Sequence, residues 1–424
     1  MNLLSSYRNK TPFILVCLLG ITIPQPLHLE RAVVVLMFIS GIVVLYNRRK
    51  QPDIRGSLYL PALLPPLFLI MHAIGLLYSD DLSRGWHNIE TKLALLVVPL
   101  YVSMVWKNGL DRKETDKILL FFVLSCCAAY LYLIFKALLL LISVQAPEVS
   151  VAFAFSRDNL ASYLFQHPVY IALIAACCFQ VLVYFLMQYW TGMTLIRKLV
   201  LILALMISFG VVILMGARMS LIAVTVTVVA WLSILILNRR KYFLGLVLLL
   251  FFSVSVISAI LYIPNIRARF KEIADTEFVP PKGAYHNSTN LRVGQLYCSL
   301  KVIEDNYIWG TGTGDYQTSL NKCYKAHNFS DVLYLLSYNP HNQYLQSFLT
   351  LGIIGILLLS GALLVPLVLA IREKDWVVFM LFLVLMMSMT TESVLQTNLG
   401  VMLFAFIYGL FILRSKLYDK TSHR

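Results

Sequence analysis

Residues 347–371 read SFLTLGIIGILLLSGALLVPLVLAI, a run of 25 residues without a single charged side chain. About 20 apolar residues in a helix cross the hydrocarbon core of a bilayer, so this run predicts a membrane-spanning helix. Directly before it stands NPHNQYLQ, residues 339–346, which places a proline, a histidine and several amides at the mouth of the helix. Similar apolar runs recur along the whole chain and decide its fold class.

The composition of the chain is that of a membrane protein. Of its 424 residues 59% are hydrophobic and 13% are charged, and the mean hydropathy is +0.77. We therefore expect an all-α polytopic membrane protein with about 12 transmembrane helices, in which residues 1–424 form a single integral membrane domain. The predicted spans are residues 12–26, 32–46, 57–77, 92–106, 118–143, 168–189, 199–216, 219–237, 242–263, 342–370, 376–390 and 397–413.

The basic residues are distributed unevenly between the two sets of loops. One set carries most of them, as at residues 48–50, 239–241 and 414–424, whereas the opposite short loops carry only Arg31, Arg84, Lys92, Arg157 and Arg218. By the positive-inside rule, we expect both termini in the cytoplasm and the longest loop, about residues 264–340, outside the membrane with short helices. The same rule explains the net charge of +14 without nucleic acid as a partner.

Two arginines of the outer face are candidates for binding an anion. Arg218 lies in LMGARMSLIA, between two apolar runs, where a charge is costly and indicates function, although an arginine that snorkels to the interface is the alternative. Arg292 follows the helix-capping sequence Asn287–Asn290 and gains nothing from the helix dipole there. An arginine can grip phosphate with two parallel hydrogen bonds, whereas a salt bridge to Glu304 or Asp305 is the alternative for Arg292.

His341 is the candidate general base. We expect Asn339 to cap the following helix and Pro340 to occupy its first turn, so that His341 is held at the outer helix N-terminus. A neutral histidine can accept a proton from a hydroxyl, and the helix end favours a nearby anion. A histidine that only lies at the membrane interface is the alternative.

Several further residues are candidates of lesser weight. His167 opens the sixth span in FQHPVYIAL and is a candidate on the substrate side. Glu392 ends the eleventh span, where it would orient an arginine, bind a sugar hydroxyl or lie in a solvated turn. GTGTGDY, residues 310–316, lacks the context of a phosphate-binding loop and is interpreted as a flexible turn. Cys298 and Cys323 share the outer loop and are candidates for a disulfide, and no metal-ligand spacing is found.

These residues resemble the O-antigen ligase and O-unit polymerase superfamily of bacterial polytopic glycosyltransferases. The resemblance covers residues 205–360, a ligase/polymerase-like core that includes the loop 264–340. It is carried by Arg218 in GARMS, Arg292 in RVGQLY, the segment NYIWGTGTGDY, and the pair His341–Asn342 in HNQYLQSFLTLGIIG. Tyr307 and Ile308 replace the proline-containing pair of the family, and Tyr297 stands where tryptophan is common.

The resemblance implies a function and a set of roles. Such enzymes take a glycan from an undecaprenyl-pyrophosphate carrier at the periplasmic face of the bacterial inner membrane, without a cofactor or metal, and pass it to an acceptor hydroxyl. Arg218, Arg292 and His341 would be catalytic, and Arg218, Arg292, Asn342, His167 and Glu392 would contact substrate. Lipid A-core is the acceptor in ligases, a growing glycan in O-antigen or exopolysaccharide polymerases, and a protein in O-oligosaccharyltransferases.

A transporter of polysaccharide or lipid carrier is the alternative from another class. It should place polar residues or broken helices near the middle of the membrane, often in paired halves. Here most of the unusual polar residues crowd the outer face, which favours the enzyme. The membrane lipid is the remaining expected partner.

Overall fold

The computed structural model describes residues 2–26, 29–49, 59–143, 150–239, 264–283 and 286–415, together with single positions between 247 and 262. All secondary-structure elements among these described residues are helices, as the sequence predicts. The first eleven helices are α1 (Asn2–Thr22), α2 (Glu30–Arg49), α3 (Leu64–Leu76), α4 (Leu82–Lys92), α5 (Ala94–Val105), α6 (Arg112–Ser143), α7 (Val151–Ala154), α8 (Arg157–Leu164), α9 (Pro168–Tyr189), α10 (Leu195–Leu214) and α11 (Arg218–Arg239). The remaining seven are α12 (Pro264–Asp275), α13 (Ser288–Asp305), α14 (Tyr316–Ala326), α15 (Val332–Leu335), α16 (Gln343–Arg372), α17 (Trp376–Met389) and α18 (Asn398–Ser415).

The helices identify a multi-pass membrane protein. Within the described residues, 7 helical segments are long and apolar enough to cross a membrane: Leu82–Val105, Arg112–Ser143, Pro168–Gly192, Leu195–Leu214, Arg218–Ile236, Gln343–Arg372 and Asn398–Ser415. Three shorter apolar helices accompany them, at Lys10–Thr22, Leu60–Leu76 and Trp376–Met389. Most of the predicted span 242–263 lies outside the described residues, so the topology of about 12 spans and the outer placement of residues 264–340 stay predictions.

Helix α18 forms the centre of the bundle. Its residues from Leu399 to Ser415 are all buried, and it packs mainly against α5. Gly409 lets the two helices approach, because a Cβ at this position would already lie 3.3 Å from Val98 Cγ1. The hydroxyl of Tyr408 donates to the carbonyl of Pro61 over 2.7 Å, which satisfies the one polar atom of this buried ring.

Helix α16 is broken near its start. Gly352 has φ of 62° and ψ of −156°, which are not helical values and which glycine adopts without steric cost. The break frees the carbonyls of Leu349 and Thr350, and the backbone N–H groups of Thr311 and Gly312 donate to them over 2.9 and 3.0 Å. A break at membrane depth is tolerated only where protein or water supplies such partners.

The GTGTGDY segment is therefore not a flexible turn, and this interpretation of the sequence was wrong. Any Cβ on Gly310 would overlap the backbone of Thr350, and the N–H of Thr313 donates to the carbonyl of Gly75 over 3.2 Å. The glycines allow the loop to lie against the backbones of α3 and α16. The segment thus fixes the broken end of α16 in place.

A disulfide joins two helices of the segment between α11 and α16. Cys298 of α13 and Cys323 of α14 are bonded, with Cα atoms 5.7 Å apart. Leu320 and Tyr324 of α14 and Leu333 of α15 are buried around this disulfide, in a second hydrophobic core apart from that of the bundle. Helix α13 begins with the predicted cap, because Asn287 and Asn290 form a reciprocal capping box.

A buried ionic group lies at the end of α18, and we call its residues Asp116, Tyr184, Asp375 and Arg414 the Arg414 cluster. Arg414 Nε lies 2.6 Å from Asp375 Oδ2, and Arg414 Nη1 lies 3.0 Å from Asp116 Oδ1. The Arg414 side chain is only 3% exposed. Asp116 lies on α6, Tyr184 on α9, Asp375 directly before α17, and Arg414 on α18. The cluster therefore links four helices at one end of the bundle.

Candidate functional site

Glu392 stands at the centre of a charged group at the other end of the bundle. Its Oε1 lies 3.2 Å from Arg292 Nη2, and its Oε2 lies 3.1 Å from His341 Nδ1. The carboxylate is 11% exposed, whereas the Arg292 and His341 side chains are 44% and 29% exposed. One largely buried carboxylate thus holds an arginine and a histidine that both reach solvent.

The turn after α17 fixes the position of Glu392. The N–H of Leu395 in this turn donates to Gln343 Oε1 over 2.7 Å, and Gln343 is buried at the start of α16. Ser393 Oγ donates to Asn339 Oδ1 over 3.4 Å, which adds a second link to the segment that carries His341. Hydrogen bonds from two directions therefore hold the carboxylate opposite the histidine.

His341 lies one residue before the helix cap, not inside the helix. Asn342 is the N-cap of α16, and its Oδ1 accepts from the N–H groups of Tyr344 and Leu345 over 2.9 and 3.0 Å. The expectation that Asn339 caps the helix and Pro340 occupies its first turn was wrong. Asn339 Oδ1 instead accepts from the N–H of His341 over 2.9 Å, and His341 adopts a φ of 44°. This left-handed backbone is uncommon for histidine and turns its side chain toward Glu392.

The Asn342 side chain is engaged by backbone groups on both sides. Besides capping α16, its Nδ2 donates to the carbonyl of Thr390 over 3.0 Å. Asn342 thereby joins the start of α16 to the end of α17 and sets the spacing between His341 and Glu392.

Arg218 lies at the start of α11 and is paired with a second carboxylate. Its Nη2 lies 3.1 Å from Glu272 Oε2 of α12, and both side chains are 20% exposed. Ser288 and Thr289 at the start of α13 accept from the same guanidinium over 3.2 and 3.4 Å and donate to Glu272. The alternative considered for Arg292, a salt bridge to Glu304 or Asp305, is not found among the described residues, and Arg292 binds Glu392 instead.

The remaining candidate, His167, faces the same group of charges. It is the N-cap of α9, and its Nδ1 accepts from the N–H of Val169 over 3.4 Å. Partial desolvation lowers the pKa of the imidazole, Glu392 opposes this shift, and Arg157 and His341 add to it. Arg292 and Arg157 are also close enough to Arg218 for their positive charges to act on it. Five predicted residues from separate segments, Arg218, Arg292, His341, Glu392 and His167, therefore lie within electrostatic reach of one another. We call Arg218, Arg292, His341 and Glu392, together with Glu272, which was not predicted, the site cluster.

The arrangement offers cationic groups and one oriented histidine. A guanidinium has five N–H donors, and Glu392 engages only one side of Arg292, so its exposed part is open to an anion. The Glu392 carboxylate accepts a hydrogen bond from the Nδ1–H group of His341, so the lone pair of the neutral ring lies on Nε2. Such a site can bind a phosphate group and accept a proton from a hydroxyl.

One group of potential metal ligands occurs in the described part of the chain, and it lies away from these residues. Sulfur and nitrogen atoms of Cys298, Cys323 and His327 lie within 4.8 Å of one another. The two sulfur atoms are bonded to each other and supply no thiolate, which is the form of cysteine that binds metals. The group therefore fits a disulfide next to a histidine.

Reasoning from the sequence missed two members of the site. Glu272 lies in the polar stretch NIRARFKEIAD, where nothing local distinguishes it from a solvated helix face. Arg157 carried a usable signal, because it is an arginine on the arginine-poor side of the chain, as Arg218 is. Its Nε lies 3.0 Å from Asp158 Oδ1.

Part of the chain matches a known protein family. Residues 201–360 match the family model described as O-antigen ligase. This match covers most of α10, all of α11 to α15 and the first part of α16, and with them Arg218, Arg292 and His341; Glu392 lies beyond it. No curated protein matches the chain. The match confirms the resemblance drawn from the sequence and associates the chain with O-antigen ligase and polymerase-type glycosyltransferases.

Proposed function

From the O-antigen ligase match over residues 201–360, we propose that this chain is a glycosyltransferase that moves a glycan from undecaprenyl pyrophosphate to an acceptor hydroxyl, with lipid A-core as the acceptor. The observation that carries the proposal is the bridge formed by Glu392, which holds Arg292 at 3.2 Å and His341 at 3.1 Å. The bridge places an anion-binding group and a candidate base side by side at the mouth of a membrane helix.

Arg292 and Arg218 bind the pyrophosphate of the donor. Arg292 offers its exposed N–H groups, and Arg218 turns from Glu272 to the phosphate or shares its guanidinium between the two. Both arginines lie at the membrane surface, where the headgroup of a lipid carrier is found while its chain stays in the bilayer. Arginine forms two parallel hydrogen bonds with a phosphate, so the pair fixes both position and orientation.

His341 activates the acceptor. The Glu392 carboxylate fixes the tautomer in which Nδ1 carries the proton and stabilises the imidazolium that forms when Nε2 takes a second proton. A base in this position contributes about 10²–10⁴-fold to the rate. Asn342 acts through the backbone, since its cap holds His341 opposite Glu392.

The transfer is a displacement at the anomeric carbon. The acceptor oxygen forms a bond to this carbon, and its proton passes to His341 Nε2. The bond from the carbon to the pyrophosphate oxygen breaks, and the pyrophosphate leaves with the electron pair. Arg218 and Arg292 neutralise the developing charge, a contribution of about 3–4 kcal/mol for a well-placed donor. Glu272 and Glu392 are each paired with an arginine, so neither carboxylate is assigned as a nucleophile. A direct displacement without a covalent intermediate inverts the anomeric configuration.

We place the site on the periplasmic face of the bacterial inner membrane, with both termini in the cytoplasm. The support is the uneven distribution of basic residues, which puts residues 48–50 and 239–241 on one side. The end of α11 that leads to Arg239 lies beside the Arg414 cluster, because Ile234 lines the same cavity as Asp375 and Arg414. Arg218 of the site cluster lies at the other end of this helix.

The broken helix α16 is the one observation that favours the alternative of a transporter, because transporters place such breaks at their substrate sites. Here the backbone of residues 307–312 fills the break, with the N–H of Ile353 donating to the carbonyl of Tyr307 over 3.0 Å. A break closed by protein backbone supports the enzyme. O-antigen or exopolysaccharide polymerase and protein O-oligosaccharyltransferase differ from the ligase only in the acceptor.

The test is glycan transfer in proteoliposomes by the purified full-length protein. The donor is a glycan on undecaprenyl pyrophosphate, and the acceptor is lipid A-core or a second carrier-linked glycan. We expect glycosylated lipid A-core, with a loss of about a hundredfold or more in His341→Ala and in Arg292→Ala. The matched controls His87→Ala and Arg84→Ala remove an exposed histidine and a paired arginine elsewhere and should retain activity.

The acceptor decides among the members of the family. Lengthened carrier-linked chains without product on lipid A-core would identify a polymerase. Equal rates in the folded His341→Ala variant and the wild type would refute the assigned base, and facilitated passage of the lipid-linked glycan without transfer would identify a transporter.

A further inference from the structure

A long apolar groove runs along the side of the bundle, away from the site cluster. Helices α6, α9 and α10 line this groove, which has a volume of about 800 Å³. Its wall on α6 extends from Leu120 to Leu131, and its wall on α10 extends from Ile196 to Ile207. Leu124 and Leu203 are 55% and 59% exposed, so the groove opens sideways to the surroundings of the bundle.

The apolar part of the groove matches one leaflet of a bilayer. The two ends of each wall are eleven positions apart in the chain. At about 1.5 Å per residue, each wall is roughly 16 Å long. The hydrocarbon core of a bilayer is about 30 Å thick, so the groove covers one half of it. A groove of this length accommodates an acyl chain that enters from one side of the membrane.

Cationic side chains gather at one end of the groove. Lys113 and Lys117 lie one turn apart on α6, and Arg197 lies near the start of α10; all three line the groove and are exposed. Asp116 also lines it, and its carboxylate accepts from Arg414, Tyr184 and Tyr189. Arg414 shares its one positive charge between Asp116 and Asp375, so at most one negative charge is left against the three cations. This end therefore carries an excess of positive charge at the depth where lipid headgroups lie.

We infer that this groove is a binding site for one anionic glycerophospholipid of the leaflet opposite the site cluster. An acyl chain lies between α6 and α10, and the phosphate contacts Lys113, Lys117 and Arg197. Basic residues at this depth attract anionic headgroups more strongly than zwitterionic headgroups, which carry no net charge. Few residues of α10 are buried by protein, so an occupant of the groove covers an apolar face that the bundle leaves open.

The donor of the proposed reaction does not explain the groove. Its pyrophosphate would lie at Arg218, which follows the end of α10 at Leu214. The groove is lined by the other half of α10, and its charged end lies farthest from Arg218. The lipid site is therefore distinct from the proposed active site and does not depend on the proposed function.

The test is native mass spectrometry of the full-length protein, released from detergent after titration with palmitoyl-oleoyl phosphatidylglycerol or with phosphatidylcholine of the same chains. We expect one molecule of phosphatidylglycerol to bind in preference to phosphatidylcholine. Replacing the cations in Lys113→Gln/Lys117→Gln/Arg197→Gln should weaken its binding about tenfold or more. Ala204→Phe, which fills the groove, should abolish binding of both lipids.

A matched triple variant controls for net charge. Lys282→Gln/Lys322→Gln/Lys325→Gln removes the same number of charges from exposed positions in the segment between α11 and α16 and should bind as the wild type does. Equal binding of the two lipids, or equal loss in both triple variants, would refute the inference. A dimer that forms without bound lipid and is lost in Ala204→Phe would assign the groove to a second copy of the chain.

Discussion

The site cluster and the Arg414 cluster are two ionic groups at opposite ends of the same helices, and they use their charges differently. In the Arg414 cluster the arginine is 3% exposed, and its carboxylate partners are 8% and 7% exposed. In the site cluster Glu392 is 11% exposed, while its partner Arg292 is 44% exposed. Arg414 directs its donors to neighbouring helices, whereas Arg292 leaves part of its guanidinium open to solvent. Exposure of the cation, more than the presence of an ion pair, thus distinguishes the candidate site.

The largest effect on stability is expected for Arg414→Ala. The change leaves Asp116 and Asp375 as buried carboxylates without their cation, which lowers the free energy of unfolding by about 3–5 kcal/mol. Unfolding of the purified protein by titration with sodium dodecyl sulfate measures this loss. Arg372→Ala, at an exposed position of the same end, should change stability by less than about 0.5 kcal/mol. A loss below 1 kcal/mol in Arg414→Ala would contradict a structural role for the cluster.

Glu392→Gln should produce the opposite pattern, with lost activity and retained stability. The amide does not stabilise an imidazolium at His341 and holds Arg292 less firmly, so we expect glycan transfer to slow by about 10²–10³-fold, or roughly 3–4 kcal/mol. Initial rates in proteoliposomes measure the change. Glu90→Gln, at an exposed glutamate, is the matched control. Wild-type rates in the folded Glu392→Gln variant would remove the bridge from the mechanism.

Gly352→Ala tests whether the site cluster depends on the break in α16. An alanine there has to adopt a φ of 62°, and its Cβ overlaps the carbonyl oxygen of Ile308. We expect a loss of about 1–3 kcal/mol in stability, together with reduced transfer, because the part of α16 before the break adjoins His341. Gly361→Ala is the control, since its Cβ lies 3.5 Å from Leu64 in ordinary contact. If Gly352→Ala and Gly361→Ala lower the free energy of unfolding equally, the break in α16 does not require glycine at position 352.

The smallest effect is expected for Asn342→Ala. The helix loses its N-cap, which costs about 1 kcal/mol, and the link to Thr390 is lost as well. Transfer should fall more than this stability loss accounts for, because His341 is no longer fixed opposite Glu392. Asn321→Ala removes an amide that bonds only to the side chains of Gln317 and Ser337, and it should leave transfer unchanged. Equal rates of glycan transfer in Asn342→Ala and Asn321→Ala would show that Asn342 caps the helix without positioning His341.

The sequence predicted the parts of the molecule that depend on local pattern. Apolar runs gave the helical membrane class, and Asn287–Asn290 gave the start of α13. The cap of α16 was misplaced by three residues, because Asn339 and Asn342 are equally good caps by local preference. The carbonyl of Thr390, which is distant in sequence, favours Asn342.

The glycines of GTGTGDY show a second limit. Glycine is compatible with a flexible turn and also with close approach of two backbones, and the local sequence does not distinguish the two. The structure selects close approach, because Gly310 lies against Thr350 and Thr311 donates to Leu349.

The sequence by itself determined that the chain is a helical membrane protein, and it identified Arg218 as a candidate because a charge beside hydrocarbon is costly wherever the helix packs. Arg292, His341 and Glu392 were candidates because of their positions at the ends of predicted helices. Only the tertiary structure decided which of these residues are partners. Arg292 and Glu392 are separated by 100 positions in the chain, and the pairing of Arg218 with Glu272 depends on how α12 meets α11. Hydropathy is a property of each segment alone, whereas an ion pair depends on where two segments end in space.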